Sequence, residues 1–173
     1  MICGIDLAGV ESRPTGVCIL ENTAEFHTVY KDQEILSLIN ETSPDVVAID
    51  APLSFHGEHF RDCDLELKKD YPILPLTFKG MQMLTQRGIN LKSQIPFPVI
   101  EVYPHASKKR LGIDCPEDLS SYNIVTLPST IHELDAAAAA LTGHYFLEGE
   151  YRVYGKKDKI IVPLRAKFLS DHL

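Results

Sequence analysis

Two aspartates end the two most apolar runs of the chain, in Ile5-Asp6-Leu7 and Ile49-Asp50-Ala51-Pro52. A carboxylate there is not on a solvated face. Burying it unpaired costs on the order of several kcal/mol, so it needs a cation, a cradle of donors or a raised pKa. Glu101 repeats the pattern in Val99-Ile100-Glu101-Val102, and Asp135 opens an alanine run, with Glu133 two residues and His132 three residues before it. Asp135 shares a helical face with Ile131 and Ala138, expected to point inward, so it is preferred to Glu133. His132 and Glu133 are read as first-turn residues. Several carboxylates with no Cys or His cluster among them describe a site for a hard cation, Mg²⁺ or Mn²⁺. Two such ions about 4 Å apart can clamp the attacking water and the leaving oxygen of a phosphodiester, which is nuclease chemistry.

The elements that must position these acids are legible from periodicity. Three strands, 1–7, 15–20 and 25–30, form a β-meander. An amphipathic helix at 32–40 ends before Ser43-Pro44. Residues 46–49 read as a strand buried on both faces, and 97–103 as another, followed by a helix at 105–111 with Pro104 in its first turn. In an open α/β sheet the carboxyl ends of the strands face the ligand crevice, which puts Asp6 and Asp50 there if their strands are parallel neighbours. The stretch 52–96, punctuated by prolines, is expected to be an insertion or lid, helical around 63–69 and 79–88. Residues 130–147 carry the strongest helix signal, and its small side chains permit close packing on a sheet. Two short extended segments, 151–154 and 159–164, close the reading.

At 173 residues, with 45% apolar and 24% charged residues, the chain reads as one globular domain. No signal peptide or membrane-length segment is visible, and four scattered cysteines without CxxC fit a reduced, cytoplasmic protein. The net charge of −7 argues against a general nucleic-acid coat. The distribution softens that objection: residues 1–50 hold nine acids and two bases, whereas 151–173 hold six bases and two acids, a basic strip able to meet phosphates. Three smaller clusters have bland alternatives. His56, Glu58 and His59 fit an exposed loop as well as a metal site, Lys108-Lys109-Arg110 a solvated face as well as a phosphate contact, and His105 a helix cap as well as a proton carrier. Glu101 has its own alternative, pairing with Lys108 or Arg110.

The elements GIDLAG with Thr15-Gly16, VAIDAPLS at 47–54, EVYPHA at 101–106 and HELDAAAAALTG at 132–143 resemble a family of predicted nucleases with a ribonuclease-H-like fold, the domain-of-unknown-function family numbered 429. The resemblance spans nearly the whole chain. It implies an α/β fold with a five-stranded mixed sheet flanked by helices, and an acidic site of Asp6, Asp50 and Asp135, with Glu101 as a further member. The chain is also similar, more distantly, to Holliday junction resolvases, which begin with a comparable Gly-Ile-Asp-x-Gly turn. The expected activity is phosphodiester hydrolysis on DNA or RNA. Two alternatives stay open: ATP-dependent phosphotransfer on an actin or sugar-kinase-like topology, and a nucleic-acid-binding module without catalysis.

Overall fold

The computed structural model describes residues 1–164. Its strands are β1 (Ile2–Asp6), β2 (Thr15–Leu20), β3 (Ala24–Val29), β4 (Val46–Asp50), β5 (Val99–Val102), β6 (Tyr151–Tyr154) and β7 (Ile160–Pro163). They form one sheet in the order β3-β2-β1-β4-β5-β7-β6. The meander β1-β2-β3 and the hairpin β6-β7 are antiparallel, whereas β1-β4, β4-β5 and β5-β7 are parallel. The sheet therefore has seven strands and not five. The two terminal extended segments pair as the hairpin β6-β7, and β7 joins the edge of β5.

The helices are α1 (Asp32–Thr42), α2 (Asp62–Leu67), α3 (Lys79–Lys92), α4 (Pro104–Leu111) and α5 (Ile131–Leu147), with a 3₁₀ turn at Pro116–Tyr122 that periodicity did not reveal. The stretch 52–96 is more than a lid. Parallel strands cannot be joined by a hairpin, and α3 belongs to the crossover from β4 to β5, burying Leu91 in the core beside Ile95. Its helical part runs to Lys92, past the expected end at 88.

Side-chain alternation divides the sheet into two layers. On one face Ile5, Ile49 and Val99 pack with Ile35 and Ile39 of α1 and Leu91 of α3. On the other Ala48, Val102 and Ile161 pack with Ala139 of α5. The alanine run lets α5 lie almost on the backbone of the sheet, and every residue from Glu133 to Gly143 except Asp135 is buried. Gly4 and Gly16 complete the fit: a Cβ on Gly4 would collide with the carbonyl of Ala136, and one on Gly16 with the carbonyl of His132. Thr130 caps the helix by accepting from the Glu133 N–H at 3.1 Å. The first turn of α5 is thereby held over the carboxyl end of β1.

Candidate functional site

Asp6 and Asp50 are the last residues of β1 and β4 and stand opposite each other in the parallel register. Adjacent strands lie roughly 4.8 Å apart, so the ladder sets the separation of the two carboxylates at its source. Both side chains point to the α5 face, sharing parity with Gly4 and Ala48. Over them lies the first turn of α5. His132 Nδ1 is 2.7 Å from Asp6 Oδ2, so the ring is hydrogen-bonded to that carboxylate. Asp135, one helical turn on, is close enough for its charge to act on both Asp6 and Asp50.

The electrostatics follow from that crowding. Burial first, and then the charges of Asp6, Asp135 and Glu101, push Asp50 well above the usual carboxylate range, with Lys108 pulling it back. Asp50 nevertheless keeps a window on solvent. Asp6 is also raised, chiefly by burial and less by Asp135, while the His132 hydrogen bond and the charge of Lys108 oppose the shift. Lys108 is thus the cation of the cluster. Its Nζ lies 2.5 Å from Asp135 Oδ1, an ion pair without the alignment of a hydrogen bond, which leaves that buried oxygen with no aligned donor.

Glu101 does not join this group. It pairs in register with Ile49, so alternation turns it to the opposite face of the sheet from Asp50. There it meets Arg61, whose guanidinium is 1% exposed. Arg61 Nη2 donates to Glu101 Oε1 at 2.6 Å and Nη1 to Oε2 at 2.8 Å, while Nε and Nη2 donate to Asp64. The backbone N–H of Leu53 completes the cradle of Glu101 at 2.9 Å. The expected partners of Glu101 are engaged elsewhere, Lys108 with Asp135 and Arg110 with the hydroxyl of Tyr71.

The remaining candidates separate in the same way. Glu133, though buried, accepts from Thr28 and from the Ser129 N–H and so ties α5 to β3. Ile131, expected to point inward, is 57% exposed, so the face that carries Asp135 is set by Ala138 and its neighbours. His105 is exposed and packs edge-on against Tyr71. His56 pairs with Asp158, and His59 with Thr77. The member that sequence reasoning undervalued is His132; its only signal was the spacing of three to Asp135. Among the described residues no three His, Cys, Asp or Glu side chains stand ready to hold an ion together.

A crevice of about 320 Å³ opens beside Asp50. Leu67, Ile73, Leu74 and Met81 from the 52–96 stretch form one wall, and Val102, Tyr103 and the Arg61–Glu101 ion pair line it as well.

No protein-family model and no curated protein matches the chain. Solved structures do. A Thermus thermophilus RuvC in complex with a Holliday junction substrate superposes with a TM-score of 0.52 at 15% identity, over 86% of this chain and 94% of that one. A second Thermus thermophilus RuvC structure gives 0.53 at 16% identity, over 86% and 96%. The likeness is one of fold. At such identity it establishes the mixed α/β, ribonuclease-H-like architecture and leaves the chemistry to the residues described above. Membership of family 429 receives no support from these comparisons. No described helix is long and apolar enough to cross a membrane.

Proposed function

We propose that the chain is a divalent-metal-dependent nuclease that hydrolyses phosphodiesters of DNA or RNA at Asp6, Asp50 and Asp135. The observation that carries this reading is the register pair Asp6–Asp50 at the carboxyl ends of two parallel strands, capped by the first turn of α5. Its architecture is that of RuvC, one of whose structures holds a Holliday junction. The donor chemistry suits Mg²⁺ or Mn²⁺, with hard carboxylate oxygens on two groups raised chiefly by burial, although the three carboxylates would have to close in to share one ion and Lys108 to leave Asp135. The cation would be held by Asp6, Asp50 and Asp135, and when bound it supplies charge neutralisation at the phosphate and a more acidic water.

The chain's own residues do the rest. His132 holds Asp6 in one orientation through Nδ1 and presents its other ring nitrogen for proton traffic. Lys108 balances the charge of Asp135 while no phosphate or cation is present. The apolar wall from the 52–96 stretch selects among substrates by shape. Glu101 acts here as the anchor of Arg61, and the ion pair lines the crevice beside Asp50.

The test is cleavage of labelled single strands, duplexes, an RNA/DNA hybrid and a four-way junction with Mg²⁺ or Mn²⁺. Metal-dependent cutting that is lost in Asp6→Asn and Asp50→Asn, with folding intact, is the expected result. Phosphotransfer from ATP, or nucleic-acid binding indifferent to EDTA and to both substitutions, would replace this reading.

A further inference from the structure

The basic strip at the C-terminal end has a described part and a part, Arg165 and Lys167, outside the described residues. Arg152 is engaged with Asp70 at 3.1 Å. Lys157 and Lys159 instead line a cleft of about 540 Å³, together with Lys92 from the end of α3. This cleft does not include Asp6 or Asp50, and shares only Glu101 with the crevice beside Asp50. It lies where β5 and β7 are staggered: they pair at only two positions, Glu101 with Ile160 and Val102 with Ile161, so that Val99 and Ile100 have no partner in β7 and line the cleft.

The charge facing the cleft is net positive. Its two carboxylates are already engaged: Glu101 is bound by Arg61, and Asp158 accepts from the Ser54 hydroxyl at 2.5 Å and pairs with His56 at 3.0 Å. None of Lys92, Lys157 and Lys159 makes an ion pair among the described residues, in a chain whose net charge is −7. The turn that presents two of them is fixed, because Asp62 accepts from the backbone N–H groups of Lys156, Lys157 and Asp158 at 2.6, 2.9 and 3.2 Å. Those bonds hold the Asp62 carboxyl at about 2. Beside the lysines the lining turns aromatic, with Phe146 and Tyr151 at 5.0 Å between ring centroids and tilted by 45° to each other.

We infer that this cleft is a second ligand site, for a phosphorylated nucleoside: the phosphate lies among Lys92, Lys157 and Lys159, and the base against Phe146 and Tyr151. Lysine supplies point charges for phosphate, and an aromatic face accepts any base. The same chemistry is offered by a free nucleotide and by one nucleotide of a strand, and the test separates them.

Binding of ATP, of inorganic pyrophosphate and of a short thymidine oligonucleotide is measured by calorimetry on the full chain in EDTA, where cleavage plays no part. The variants are Lys157→Gln/Lys159→Gln, which alters two exposed side chains, and Tyr151→Leu. ATP affinity lowered about tenfold or more by each variant supports a free nucleotide. Oligonucleotide binding with that dependence, without ATP binding, supports a strand. Binding of neither, or binding indifferent to the lysine pair, overturns the inference. Pyrophosphate bound as tightly as ATP, with no effect of Tyr151→Leu, overturns the nucleoside assignment. None of these outcomes depends on whether the Asp6–Asp50 site cleaves anything.

Discussion

Replacing Asp50 by asparagine is expected to abolish cleavage and, in the absence of metal, to make the fold more stable at neutral pH. Burial and the charges of Asp6, Asp135 and Glu101 all raise the folded pKa of Asp50, against an unfolded value near 3.8. An acid raised in the folded state contributes stability that is fully present below its unfolded pKa and is lost as pH rises through its folded pKa. Between those two values the folded chain holds one more proton than the unfolded chain, and one proton corresponds to roughly 1.4 kcal/mol per pH unit. The neutral amide does not titrate. The stability of Asp50→Asn minus that of the wild type should therefore grow from about pH 4 upward at up to that slope, and level off once Asp50 ionises in the folded state. Urea denaturation of both proteins in EDTA, at half-unit steps from pH 4 to 8, measures the difference directly. Mg²⁺ should stabilise the wild type and leave the variant unmoved. A variant less stable than the wild type at pH 7, or a difference independent of pH, would refute the account of Asp50 as a buried carboxylate raised further by its acidic neighbours.

Three further outcomes are expected. Arg61→Met leaves Glu101 and Asp64 buried without their cation and should lower stability by about 3–5 kcal/mol in denaturant titration; a loss under about 1 kcal/mol contradicts the cradle described here. Gly16→Ala puts a Cβ against the carbonyl of His132, and as overpacking should cost about 1–3 kcal/mol and reduce cleavage; unchanged activity would mean that the first turn of α5 need not sit so close. Lys108→Met removes the ammonium from Asp135 and should tighten Mn²⁺ binding in calorimetry by about tenfold, worth roughly 1.4 kcal/mol; weaker binding would make Lys108 a partner of the site and not a competitor for it.

The two strand-end aspartates were legible because a charge interrupting an apolar run is a local anomaly that a sequence displays by itself. Asp135 was legible through the helix it opens, although the inward role given to Ile131 was mistaken. Glu101 shows where local pattern stops. Its strand is read correctly, but the face it points to depends on the register of β5 against β4, which a crossover through 52–96 decides. Its true partner, Arg61, lies forty residues earlier in a segment without periodicity. The contact of His132 with Asp6 spans a separation of 126 residues and depends on α5 seating on Gly16. The strand count failed for a similar reason, since nothing in 151–163 tells which edge the hairpin will join.

The seating of α5 has a consequence for motion. A helix packed by alanine against glycine has no rotamers to exchange and no gap to slide into, so the carboxylate-bearing ends of β1 and β4 rest against a fixed anvil. The opposite wall differs in kind. On the 52–96 side Leu74 is exposed and Met81 half-buried, flexible side chains that can shift without disturbing the core. Accommodation of differently shaped partners therefore falls to that wall alone, and swapping its residues offers a route to altered selectivity that leaves the carboxylates where the sheet holds them.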